Sequence, residues 1–339
     1  MAVLNTAITN PTLADLTSRM TREGKIDPSI IEVLNETNEM LSDLVWNEAT
    51  GVTENVTTVR SGLPSVAWRR LNYGVQPSKS KTKQISDSLG MLEAYAEVDK
   101  KLAMLNGNTE AWRASENAPF IEAMNQEFQR ALLYGDCTKD PAKILGIMPR
   151  FCTGVKSKAE NAVNVIDAGG TGSNLTSILL MVWGKNTMYC SYPKGMVGGL
   201  QHEDLGEVTL DDPDGGHYQG YRSHYEWNVG FTMRDWRYCV RIANIDWTKL
   251  DPDPNKEGST DLRALMIKAL NLLPSMNNGR AAFYCNRTIK TYFEQQLENR
   301  SNVWLTLDQS EGRSVARFRG IPIRRVDAIS NSESKVPFS

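Results

Sequence analysis

The chain lacks any run of apolar residues long enough to cross a bilayer, so no membrane span is expected. Met1 to Asn10 holds no basic cluster ahead of an apolar stretch, and no signal peptide is predicted. Cysteine is sparse. Cys137, Cys152, Cys190, Cys239 and Cys285 form no CxxC and no small-scaffold spacing, which predicts free thiols in a reducing cytoplasm. Histidine is scarcer still. His202, His217 and His224 lack zinc spacing, and the adjacent donors of Gln201-His-Glu-Asp204 do not readily converge on one ion. Asp211, Asp212 and Asp214 miss the ligand pattern of a calcium loop and its closing glutamate. The glycine-rich run Gly169-Gly-Thr-Gly-Ser173 has no lysine and leads into strand-like sequence, so a turn is expected in place of a phosphate loop. There is no GxSxG, and no cysteine sits in a recognisable nucleophile context. No catalytic residue, metal ligand or cofactor is therefore assigned, and an enzyme is not expected.

What is present begins with size. The 339 residues, 40% hydrophobic and 23% charged, suffice for about two domains, or one domain with long extensions. The net charge of −2 argues against a general polyanion binder, yet the charge is unevenly placed. Residues 1–54 carry nine acidic and three basic side chains, a net of −6. Residues 55–86 carry six basic groups (Arg60, Arg69, Arg70, Lys79, Lys81 and Lys83) and no acid. Adjacent blocks of opposite sign can pair within a molecule or between copies, or form two unrelated solvated faces.

Residues 1–26 read as a polar extended arm. Asp27 and Pro28 suit the start of a helix, and Ile30, Val33, Leu34, Leu41, Leu44 and Val45 continue it to residue 45. This helix would show Glu32, Glu36, Glu39 and Asp43 to water or a partner. Residues 56–73 predict a strand, followed by a turn at Asn72, Gly74 and Pro77. A second strand is expected from Lys79 through Ile85 and beyond, with Lys79, Lys81 and Lys83 on one face. A hairpin this long with few apolar residues is marginal alone, so it must lie on a neighbouring subunit or on its own globular body. Nucleic acid is a third option, with Trp68 and Tyr73 as stacking groups.

Met91 to Asp99 reads as a return into the core. Phe120, Met124, Phe128 and Leu132 predict a helix over 116–134, with Pro119 in its first turn and Gly135 ending it. Ile178 to Trp183 and Thr187 to Tyr192 are candidate strands, Asp211 to Gly216 a turn, and Tyr218 to Ile245 long antiparallel strands. Asp251-Pro-Asp-Pro254 marks a boundary. Beyond it come a helix from Leu262 to Leu273, a strand from Ala281 to Cys285, and a helix capped by Asn286. Strands at Trp304 to Leu307, Val315 to Phe318 and Ile321 to Val326 complete a small mixed sheet.

Several segments in this order resemble one protein family: LPSVAWRRL (63–71), QPSKSKT (76–82), GMLEAYAEVDK (90–100) and NVIDAGGTGSNLTSILLMVWG (164–184). YPKG (192–195), RDWRYCVRIANID (234–246), FYCNRTIKTYF (283–293) and GIPIRRVDAI (320–329) extend the likeness across nearly the whole chain. The chain resembles the major capsid protein of short-tailed (podovirus) bacteriophages with the Hong Kong 97-type fold, most nearly the Bordetella phage kind. The resemblance implies an α+β capsid fold. Its parts are an N-terminal arm (1–55), an extended β-hairpin loop (56–90), a peripheral domain (91–255) with spine helix 116–134, and an axial domain with C-terminal tail (256–339). Strand-rich 218–246 precedes the α/β unit at 260–329, which implies a permuted topology.

The implied function is self-assembly, as pentamers and hexamers, into the icosahedral shell around the double-stranded DNA genome of a tailed phage. The protein would be made and assembled in the host bacterial cytoplasm and reside in the virion capsid. Expected partners are other copies, a scaffolding protein, a portal protein, a cement or decoration protein, and packaged DNA by non-specific contact. Some relatives form a Lys–Asn isopeptide bond, but no asparagine partner for Lys79, Lys81 or Lys83 is identifiable, and no such bond is predicted. The inter-subunit contacts expected are Trp68, Arg69, Arg70, Leu71, Tyr73, Lys79, Lys81 and Lys83, with arm residues Glu32, Glu36 and Glu39 as acidic partners. The nearest alternative is an encapsulin-type bacterial compartment shell; a more remote one is a soluble α/β nucleotide-using enzyme.

Overall fold

The structure, a computed structural model, describes residues 38–105, 109–211, 215–251, 260–298, 305–310 and 313–338. The arm to residue 37, with Glu32 and Glu36, lies outside the described residues. So does the first part of the helix expected to reach residue 45. Its last part differs from expectation: Glu39–Asp43 is a single 3-10 turn, and the chain then extends into strand β1, Trp46–Glu48. Parallel pairing of Trp46 with Cys190 supplies the hydrogen bonds that a helix would otherwise have provided.

In chain order there follow β2 (Glu54–Gly62), β3 (Lys81–Asp99), α1 (Lys100–Leu105), α2 (Thr109–Tyr134) and the short α3 (Ile147–Arg150). Next come β4 (Val165–Asp167), β5 (Leu175–Trp183), β6 (Met188–Tyr192), β7 (Gln201–Asp211), β8 (His217–Met233) and β9 (Cys239–Asp246). The last elements are α4 (Leu262–Leu272), β10 (Arg280–Cys285), α5 (Arg287–Glu298), β11 (Leu305–Ser310), β12 (Arg313–Phe318) and β13 (Ile321–Arg325). No helix among the described residues is long and apolar enough to cross a membrane.

The chain divides into two compact units. The smaller holds residues 91–128 and 199–228 of the described chain, and the larger holds the rest. Strands β5, β6 and β9 share the larger unit with 260–338. At its centre is β5, every residue of which is buried. It runs antiparallel to β10 on one side, with Leu180 opposite Phe283, and to β9 on the other, with Leu180 opposite Val240. A strand covered on both faces needs a continuous apolar run, which ILLMVW provides. β13 lies parallel to β10, and β11 and β12 extend the sheet beyond it. α4 begins where Asp261 accepts hydrogen bonds from the Arg263 and Ala264 amides, and α5 where Asn286 accepts from Ile289.

The C-terminal segment is strapped to this sheet. The buried Glu333 carboxylate accepts from Arg241 (2.9 Å), Tyr134 (2.6 Å) and Ser177. Asn244 accepts from the Val336 amide at 2.8 Å and donates to its carbonyl at 3.0 Å.

In the smaller unit the first half of β8 pairs with β7, placing Glu203 opposite His224 and Glu207 opposite Tyr221. Phe120 of α2 stacks on Tyr225, and Phe128 packs against Trp227. Strand β7 was not expected, since its acidic sequence carries little strand signal. Helix α2 starts seven residues before the expected Glu116. Pro119 therefore lies inside the helix and not in its first turn.

Candidate assembly surface

Strands β2 and β3 form an antiparallel hairpin from Glu54 opposite Ser88 to Gly62 opposite Lys81, with a register shift between Arg60 and Gly62. The expected strand over 56–73 is thus shorter. It ends at Gly62, because Leu63-Pro-Ser offers proline in place of a backbone donor. Residues 63–80 form an irregular loop in which Ser78 Oγ donates to the Ser65 carbonyl at 2.7 Å. Within it Asn72 adopts φ 65°, and the turn closes through Tyr73 N–H to the Arg70 carbonyl (3.2 Å). The Arg69 guanidinium donates to the Tyr73 carbonyl at 3.2 Å. Lys79 lies in this loop and not on the strand, so only Lys81 and Lys83 share a strand face.

The root of the hairpin is held by polar side chains that sequence reasoning missed. Asn55 and Asp87 are directly opposite one another and both buried. The Asn55 amide donates to Tyr189 Oη (2.9 Å) and Thr232 Oγ1 (2.8 Å), and its oxygen accepts from the Thr50 amide. Asp87 accepts from Arg150 at 2.7 Å, and that guanidinium also lies 5.4 Å from the Phe231 ring centre. A carboxylate that can be buried only with such a partner fixes where β3 meets the body. The one available signal was Asp87 itself, the first acid after the acid-free stretch 55–86.

Outward from this root the same hairpin face carries Lys83 and Lys81, both exposed. Among the described residues Arg60, Arg70, Lys79, Lys81 and Lys83 make no ion pair. The large apolar side chains of the loop are bare. Trp68 is 102% exposed, Leu71 89%, Leu63 83% and Val66 92%, with Tyr73 also exposed. Free-standing apolar side chains clustered on one projecting segment mark an interaction site.

Of the expected acidic partners, only Glu39 is described. Its carboxylate faces its own chain, 3.2 Å from Lys290 Nζ and accepting from the Arg325 amide at 2.9 Å. The nearby Asp43 is likewise engaged, by Tyr284 Oη (2.8 Å) and Arg324 (3.2 Å).

The other chemistry-bearing residues resolve into structural roles. Gly170 of the glycine-rich run has its amide on the Asn244 carbonyl, and a β-carbon there would meet that oxygen. All five cysteines are free thiols. Burial pushes Cys190 and Cys239 far above the ordinary thiol range and Cys285 up to about 12, which leaves these three without thiolate reactivity. Among the described residues no three His, Cys, Asp or Glu side chains are grouped to hold a metal ion.

In a comparison with protein families, the model for major capsid protein GP7 matches residues 21–337. The chain belongs to the GP7 major capsid protein family. This capsid protein is a structural component of a phage virion and not an enzyme. It is similar to the chain solved in the cryo-electron microscopy structure of bacteriophage Epsilon15, at 32% identity with both chains covered in full and a TM-score of 0.80. That match extends to the mixed α+β Hong Kong 97-like capsid fold. Fainter likenesses are the capsid of bacteriophage JBD30 (12% identity, 94% and 99% covered, TM-score 0.46) and an encapsulin complex of Synechococcus elongatus (9%, 70% and 97%, TM-score 0.42). Neither of these two adds to the assignment. No curated protein matches the capsid protein.

Proposed function

We propose that the hairpin 56–90 is the extended loop by which one copy of this capsid protein lies across an adjacent copy. The assembled pentamers and hexamers would form the icosahedral shell around double-stranded DNA. In this reading 1–55 is the arm, 91–255 the peripheral region with α2 as its spine, and 256–339 the axial region and tail. The observation that carries it is the full exposure of Trp68, Leu71, Leu63 and Val66 beside six cations.

Burying a Trp or Leu side chain contributes about 1.5–3 kcal/mol, against about 0–1 kcal/mol for an exposed ion pair. Trp68, Leu71 and Tyr73 therefore supply most of the affinity. Arg69, Arg70, Lys79, Lys81 and Lys83 supply orientation and partner choice. On the arm the available acids would be Glu32 and Glu36, since Glu39 is already bonded. A closed shell repeats these contacts many times, so a modest interface suffices.

Assembly in the host cytoplasm, aided by a scaffolding protein, with a portal and a cement protein in the finished shell and DNA inside, completes the proposal. Its test is charge reversal at Lys79, Lys81 and Lys83 followed by electron microscopy of the products. Loss of closed shells is expected, and normal shells would overturn the role given to the loop.

A further inference from the structure

Between β2 and the turn that follows β8 lies a cleft of about 720 Å³, lined wholly by residues of the larger unit. That volume suits a small organic ligand. Three arginines line it: Arg60 on β2, and Arg234 and Arg237 in the turn. Arg237 is spent on Asp235, to which its guanidinium donates at 2.9 and 2.7 Å. The Arg234 guanidinium has only the Lys185 carbonyl, at 3.3 Å, and Arg60 has no ion pair among the described residues. Two cations from separate segments thus face one cleft with their charge uncompensated.

Thr57 gives a second and independent sign of a ligand. Its side chain is only 6% exposed and lines the cleft, yet its hydroxyl has no hydrogen-bond partner among the described residues. A buried hydroxyl left unpaired is costly, so Thr57 calls for an acceptor from outside the chain. The strand edge adds a donor. The Val56 amide bonds Thr50 Oγ1 at 2.8 Å, on the side away from β3, and ladder alternation puts the Thr58 amide on the same edge. Thr58 also lines the cleft.

Two further groups narrow the chemistry. Trp236 is half-buried in the lining, and among the described residues no aromatic ring of the chain stacks on its indole. Glu160, exposed in the same lining, makes no ion pair among the described residues and is free to accept from an N–H donor.

We propose that this cleft binds a nucleoside phosphate, its phosphate held by Arg60, Arg234 and Thr57 and its base laid on Trp236. Arginine's planar fork matches phosphate oxygens, and the hydroxyl and strand amide complete their hydrogen bonding. An indole face accepts any base. Glu160 repels a bare inorganic anion but can accept from the exocyclic amine of a base. Two sources share this chemistry, a free nucleotide and an unstacked unit of a nucleic acid strand. Because Arg60 belongs to the hairpin and Arg234 to the body, the bound ligand ties one to the other.

Calorimetric titration of the full chain with ATP, inorganic tripolyphosphate and a single-stranded deoxyadenosine oligomer tests the site. ATP should bind, and tripolyphosphate at least about 10-fold more weakly, having no base to stack. Arg60→Ala with Arg234→Ala should weaken ATP binding at least about 10-fold. Thr57→Val, which keeps the shape and removes the hydroxyl, should weaken it about 5-fold, and it carries the test if circular dichroism shows the double variant unfolded. Tighter binding of the oligomer than of ATP assigns the nucleotide to a strand, and the reverse order assigns it to the free pool. The proposal is overturned if neither ATP nor the oligomer binds, or if tripolyphosphate binds as tightly as ATP. Unchanged affinity in the folded variants would overturn it too.

Discussion

Trp68 and Asp87 sit on the same hairpin and have opposite relations to solvent. Trp68 touches nothing that its removal would destabilise within the chain, so Trp68→Ala should change subunit stability by no more than about 0.5 kcal/mol. If the loop docks on a neighbour, the same change removes an interface anchor worth about 2 kcal/mol or more, raising the concentration needed for assembly roughly 30-fold. Chemical denaturation and light scattering separate the two effects. Asp87→Ala should behave in the reverse order. It strips the partner from Arg150, whose side chain is 13% exposed, and should cost about 3–5 kcal/mol of subunit stability. Acid sensitivity is also set by single carboxylates. The Arg113 guanidinium holds Asp204 below the ordinary carboxylate range, and hydrogen bonds from Thr138 and Thr248 do the same for Asp136 and Asp246. Groups with lowered folded values contribute stability that is complete above the unfolded value of about 4 and is lost as pH falls through the folded ones. Melting temperature should hold steady down to about pH 5 and drop below about pH 4. A decline beginning near pH 6 would point to other groups.

Among the elements, legibility followed burial. β5, β10, α4 and α5 were readable because apolar runs and capping residues there serve the structure they report, as Asn286 does at the head of α5. β7 was not, since Leu210 is its single buried side chain and most of the strand faces solvent. The 39–45 helix was overread: Leu41, Leu44 and Val45 fit helical spacing, yet the tertiary partners of Glu39 and Asp43 hold a 3-10 turn. α2 begins ahead of the expected Glu116, because Pro119, expected in its first turn, is carried inside the helix. An exposed proline inside a helix removes one hydrogen bond, so Pro119→Ala should raise stability, by up to ~3 kcal/mol, in thermal melts. The hairpin was legible as a charged projection, but neither its length nor its polar root was. The root predicts independence of the tip: replacing residues 64–78 with an Asn-Gly turn should leave a folded subunit that no longer assembles.

For the whole molecule, the small net charge conceals a division between an acidic unit and a basic loop. Charge placement of this kind has little bearing on the fold and much on association. The basic half was visible in the sequence as an acid-free block. The acidic half was not, because its two segments are separated by seventy residues of chain and only the fold brings 91–128 and 199–228 into one unit. The account centres on a loop that is bare in the single chain and covered in the shell. A cryo-electron microscopy map of assembled shells tests this most directly. It should show residues 63–80 laid on an adjacent copy, with Trp68 buried. A shell in which Trp68 stays in solvent, or packs on its own subunit, would contradict the account.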